Sequence, residues 1–190
     1  MKKALIMAGL IAAVGAMAQG QFNPSNYNAK QKFFDVDGTT ALGAGFQVQF
    51  FVGTSADPAS LTPVGDLMLF TNAKTGAVTP GYFGIGAAAF TFDGTGKFPQ
   101  YAPGTTLNVQ VAVFQTAYSS FAAAFAAGPD SKIGATTLFT VKLTNPGAEP
   151  PDIPAALSGI TSVRVAPAPE PSVIALGLLG AGALFLRRRK

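Results

Sequence analysis

Eight carboxylates lie between Gln19 and Ala168: Asp35, Asp37, Asp57, Asp66, Asp93, Asp130, Glu149 and Asp152. Two of them held across a sugar would suffice for glycoside hydrolysis, one giving a proton and the other attacking or activating water. Asp35 and Asp37, within the stretch DVDGTT, are the closest pair in sequence. Asp37-Gly38 is turn chemistry, however, with Asp35 on the same solvated side. Asp57-Pro58, Asp93-Gly94 and Asp130 after Pro129 read the same way. An EF-hand calcium loop would need later oxygen ligands and a closing Glu, which DVDGTT lacks.

The usual partners of such acids are missing. The chain has no histidine and no cysteine, which removes Ser-His-Asp and Cys-His nucleophiles and the common zinc, haem and iron–sulfur sites. The glycines of Gly81–Gly86 open no phosphate-binding loop. Catalytic, metal and cofactor residues are therefore assigned to none. Sugar recognition by stacking would need exposed aromatics. Tryptophan is absent and the tyrosines are Tyr27, Tyr82, Tyr101 and Tyr118. Tyr82, Tyr101 and Tyr118 fall at predicted loop or strand ends, where they could share one rim. The commoner use is a tyrosine capping the core with its hydroxyl in water.

The elements that must position these groups are strands. In GFQVQFFV, Phe46, Val48 and Phe50 face one way, and Gln47 and Gln49 the other. Leu107, Val109, Val111 and Val113 oppose Asn108 and Gln110, and Phe139, Val141 and Leu143 oppose Thr140, Lys142 and Thr144. Period two with one apolar face predicts half-buried antiparallel strands. Shorter runs at Asp66–Phe70, Ala87–Phe92 and Thr161–Val165 repeat it. Asp37-Gly38, Pro80-Gly81, Asp93-Gly94, Pro103-Gly104 and Asn145-Pro146-Gly147 punctuate them. Mainly β structure follows: an antiparallel β-sandwich, jelly-roll-like, with at most one short helix. The candidate for that helix is SSFAAAFAAGPD, capped by Ser119 or Ser120 and ended by Gly128-Pro129, with a loop as the alternative. Asn145–Pro154 reads as a loop between the last two strands.

The ends differ from this body. Lys2 and Lys3, the apolar Ala4–Val14 and the small-x-small Ala16-Met17-Ala18 form a signal peptide over residues 1–18, cut before Gln19 by signal peptidase. The formal charge of +4 belongs to the ends. Between Gln19 and Ala168 seven bases meet eight acids, a net −1, so no basic stripe collects phosphates and no nucleic-acid partner is expected. The exported domain is expected over residues 19–166.

Residues 167–190 hold Pro169-Glu170-Pro171, the uncharged run Val173–Leu186, and Arg187-Arg188-Arg189-Lys190. The prolines block helix and sheet and leave an extended peptide, which Ala166-Pro167-Ala168 would prolong. The run is near the lower length limit for a membrane helix, with the basic block on the cytoplasmic side.

This order resembles a PEP-CTERM sorting signal of exported proteins in Gram-negative, exopolysaccharide-producing bacteria. The resemblance implies a precursor held transiently in the inner membrane, recognition by exosortase near Pro169–Pro171, and delivery to the cell surface or extracellular matrix of a biofilm. There the body would act without catalysis, in a structural or adhesive role associated with exopolysaccharide. A polysaccharide-binding module and a permanently anchored single-span envelope protein remain the alternatives. The body also resembles the Gly/Thr/Ala-rich β-domains that precede such tails, especially around YAPGTTLNVQVAVF, Tyr101–Phe114.

Overall fold

A computed structural model describes residues 19–170. The expected signal helix with Ala16 and Ala18, the residue Pro171, the expected hydrophobic helix Val173–Leu186 and the basic block Arg187–Lys190 lie outside the described residues. Within them the chain is mainly β, with one short α-helix.

Ten strands run in order: β1 Gly20–Phe22, β2 Phe33–Phe34, β3 Phe46–Gly53, β4 Thr62–Leu69, β5 Phe90–Phe92, β6 Thr106–Gln115, β7 Lys132–Ala135, β8 Phe139–Lys142, β9 Val163–Arg164 and β10 Ala166–Pro167. The helix α1, Phe121–Ala126, lies between β6 and β7. A six-stranded sheet carries the order β10-β7-β6-β3-β4, with β8 also paired to β6. The long β6 pairs with all eight residues of β3 on one side, from Phe46 opposite Gln115 to Gly53 opposite Asn108. Its other side is shared, β8 taking Thr106–Val109 and β7 taking Ala112–Phe114. Two small sheets complete the structure, β1 with β5 antiparallel and β2 with β9 parallel.

That parallel pair corrects the all-antiparallel expectation. Phe33 and Phe34 align with Val163 and Arg164, and the chain between them supplies five of the six strands of the large sheet, a crossover long enough for parallel strands. β9 falls within the expected run Thr161–Val165, but two residues are too few to alternate at β2, and nothing in either segment encodes their parallel pairing.

The core forms where the period-two faces meet. Val48, Phe50, Val52, Leu107, Val109, Val111 and Val113 are all fully buried, together with Phe22, Phe33, Phe83 and Phe92. Phe50 is a hub: its ring centroid lies 6.0 Å from Phe22, 5.8 Å from Phe83 and 5.2 Å from Phe90. Burying one such side chain stabilises by about 1.5–3 kcal/mol, and tilted or edge-to-face pairing adds to it.

The opposite face of the large sheet is covered by α1. Ser120 caps the helix by accepting from the Ala123 N–H at 3.1 Å. Six residues are marginal as an isolated helix, and tertiary contacts hold this one. Phe121 packs edge-on against Phe51 and Phe114 at 6.3 and 6.2 Å. Gln49 accepts from the Phe121 N–H at 3.1 Å, and Gln47 donates to the Tyr118 carbonyl at 2.7 Å. Gln47 is thus buried, bonded beneath the helix approach rather than facing water.

Strand β4 is an edge strand broken by a bulge. Val48 pairs with Met68 and Phe50 with Val64, leaving Gly65, Asp66 and Leu67 opposite Gln49 alone. Gly65 has φ +67°, and a Cβ there would meet the Phe90 ring at 2.7 Å. The bulge and the exposed Asp66–Lys97 ion pair blunt an otherwise open edge.

The C-terminal end of the described chain is docked. Val165 donates to the Phe34 carbonyl at 3.0 Å, β10 pairs with Lys132 and Ile133, and Ala168 donates to Ser131 at 2.9 Å. Ala168 is buried. The segment Ala166-Pro167-Ala168, expected as a prolonged accessible stretch, is instead fastened to the sheet, because its backbone completes the outer edge of β7.

Candidate functional site

Asp35, Asp37, Asp57, Asp66, Asp93 and Asp152 are engaged one by one rather than paired with each other. Asp35 meets the Lys132 ammonium at 2.8 and 3.0 Å and accepts from the Val36 N–H at 2.7 Å. These bonds, the lysine first, hold its carboxyl below the usual carboxylate range. Asp37 accepts from the Thr40 hydroxyl at 2.5 Å and from the Thr39 and Thr40 N–H groups at 2.8 Å. The same donors, Thr40 leading, lower its pKa strongly. Asp93 binds the Thr95 hydroxyl at 2.6 Å and the Thr95 N–H at 2.9 Å, again lowering its pKa. Asp57 accepts from the Ala59 N–H, and Asp152 from the Asn145 N–H. Asp35, Asp37 and Asp93 are charged acceptors shaping turns and an ion pair. No group of three or more metal-ligating side chains occurs among the described residues.

The tyrosines separate. Tyr101 packs on Phe92 at 5.7 Å, and Tyr118 offers its carbonyl to Gln47. Tyr82 finds another partner: its ring stands edge-on to Tyr27, 5.3 Å between centroids at 73°. The Lys32 Nζ lies 5.4 Å from the Tyr82 centroid, within cation–π range. Tyr27 is 54 % exposed.

What joins these two rings is a buried amide. Asn26 is fully buried. Its Nδ2 donates to the Gln31 carbonyl at 2.6 Å and the Gly81 carbonyl at 2.9 Å, and its Oδ1 accepts from the Phe83 N–H at 2.9 Å. Ser25 adds a bond from Oγ to the Phe83 carbonyl at 3.1 Å. A buried carboxamide is costly unless bonded; this one fastens the turn carrying Tyr27 to the turn carrying Tyr82. Close approach requires Gly84, whose φ is +68° and whose Cβ would fall 2.0 Å from the Pro24 carbonyl oxygen. Tyr27, Lys30, Lys32 and Asn26 were not singled out by sequence reasoning. The available signal was NPSNYNAK, a cluster of turn formers around one aromatic.

A shallow depression of about 250 Å³ lies over Leu67, Met68, Leu69, Thr71, Ala73 and Gly84. Thr71 is the one polar side chain in that lining, and the lining carries no charged group.

Among the sorting residues, Gln19 precedes β1, and Pro169 and Glu170 follow Ala168 as exposed residues outside any strand. Their reading rests on the residues themselves. No family model matches the chain, nor does any curated protein or solved structure.

Proposed function

We propose that the chain is an exported, non-enzymatic protein of the cell surface or extracellular matrix, sorted through an exosortase-type system. Its body is a two-sheet β-sandwich of jelly-roll-like type. Its role is structural or adhesive, in association with exopolysaccharide. Signal peptidase and exosortase are its processing partners, and the inner membrane holds the precursor transiently.

The observation that carries this reading is the junction at Ala168. Ala168 is bonded to the folded body through Ser131, and the next residues are Pro169-Glu170-Pro171, followed by the apolar run and the basic block. A processing enzyme acting there would release a body that keeps every strand. The bonds that engage Asp35, Asp37 and Asp93 give these three carboxylates structural work in turns and an ion pair, which supports the non-enzymatic reading of them.

The test is intact mass and C-terminal sequencing of the protein recovered from cell-surface and culture fractions. A product beginning at Gln19 and ending near Pro169–Pro171 is expected. A membrane fraction in which every chain retains Arg187–Lys190 would replace sorting by permanent anchoring.

A further inference from the structure

We propose that Tyr27 and Tyr82, with Lys30 and Lys32, form a binding site for an acidic polysaccharide. The proposal deepens the matrix reading and rests on it for where such a polymer would be met. The site itself is argued from geometry.

A sugar ring offers an apolar C–H face and a hydroxylated rim, so proteins hold it between an exposed aromatic and nearby polar groups. Tyr27 supplies the aromatic, more than half in water yet buttressed by the Tyr82 ring. Asn28, beside it, is exposed and offers an amide to hydroxyls. Lys32 lies over Tyr82, and the exposed Lys30 closes the turn that begins at Tyr27, its N–H donating to the Tyr27 carbonyl at 3.0 Å. Among the described residues the ion pairs are Lys97–Asp66 and Lys132–Asp35, so neither Lys30 nor Lys32 spends its charge on a carboxylate there. A uronic acid, with a ring face and a carboxylate on one residue, matches both features.

The site is preorganised, which reduces the ordering cost of binding. Asn26 locks the two turns together, as described above. Lys30 has φ +56°, the one non-glycine residue with positive φ among the described residues. Strain of this kind persists only where its surroundings enforce it. A single shallow contact binds weakly, but a polymer repeating the epitope engages many copies and gains avidity. Two lysines on a body of net charge −1 make a poor match for a nucleic acid or a lipid surface.

The test uses the full-length chain in a non-glycosidic detergent, titrated by calorimetry with polygalacturonate oligomers and with their fully methyl-esterified counterparts. Binding to the acid form is expected, weakened by salt and at least about tenfold weaker for the ester. Tyr27→Ala and the double variant Lys30→Ala/Lys32→Ala should each lower affinity about tenfold. Phe125→Ala, an exposed aromatic on α1, should leave it unchanged. No binding, equal loss in Phe125→Ala, or full affinity in Tyr27→Ala would overturn the site. So would tighter binding to vesicles of anionic phospholipid than to the oligomers, which would assign the patch to a membrane. Failure here, with a mature C-terminus near Pro169–Pro171, removes the glycan site and leaves the sorting reading. Glycan binding by a chain that is never processed does the reverse.

Discussion

Ala168 donates its backbone N–H to the Ser131 carbonyl at 2.9 Å, one residue before Pro169. Ser131 is itself buried, its hydroxyl donating to the Ala124 and Gly128 carbonyls. The end of α1, the start of β7 and Ala168 therefore share one bonded point. A protease needs an extended, unpaired strand, and Val163–Ala168 is paired or buried along its length. Limited digestion of the native protein with a broad-specificity protease should therefore leave Val163–Ala168 uncut, as read by mass spectrometry of the fragments. Early cleavage inside that span would mean the docking seen here does not persist in solution.

Phe50 joins the large sheet to the aromatic residues above it, touching Phe22, Phe83 and Phe90. Phe50→Ala should destabilise the fold by about 3–5 kcal/mol, through lost transfer energy and an unfilled cavity. Phe125→Ala, on the exposed side of α1, should change stability by no more than about 0.5 kcal/mol. Urea unfolding of both variants decides it. Comparable losses would mean that the apolar face assigned to β3 is wrong.

How far the sequence foretold this structure depends on what each signal encodes. Alternation along Leu107–Val113 named the buried side of β6 correctly, because period two is a property of the strand alone. The same alternation placed Gln47 and Gln49 on the other side but could not say what covers it. That cover is α1 and the turn leading into it, some seventy residues later, where the Tyr118 carbonyl accepts from Gln47 and the Phe121 N–H donates to Gln49. The turn dipeptides were legible because glycine and proline restrict φ locally. The Tyr27–Tyr82 pair was not, since Asn26 makes its defining bonds to Gly81 and Phe83 across the fold. Nothing in NPSNYNAK specifies that distant partner.

Gly84 and Gly76 separate two costs that a glycine can hide. Both have positive φ, +68° and +70°. A Cβ on Gly76 meets nothing within 4 Å, whereas one on Gly84 would overlap the Pro24 carbonyl oxygen at 2.0 Å. Gly76→Ala should therefore cost only the left-handed penalty, about 1–2 kcal/mol. Gly84→Ala should cost a further ~1–3 kcal/mol of overpacking. It should also loosen the turn that carries Tyr82. Equal costs in thermal or urea unfolding would show that the Pro24–Gly84 approach is not tight.

The Asp35–Lys132 ion pair fastens the turn after β2 to the first residue of β7, and its pH dependence follows from the direction of the shift. Asp35 is held below its ordinary pKa, by Lys132 first and the Val36 N–H second. A group depressed in the folded state stabilises above its unfolded pKa, about 3.9, and loses that contribution as pH falls through the folded value. Asp35→Asn should therefore lower stability by about 1 kcal/mol near neutrality, the upper end for a partly exposed pair. The gap should close as the pH is taken below about 4. Asp37 and Asp93 titrate in the same direction, but they are present in both proteins and cancel in the difference. Urea midpoints for wild type and Asp35→Asn, measured from pH 2 to 7, isolate the pair. A gap that stays constant across that range would assign the loss to the altered turn rather than to the charge.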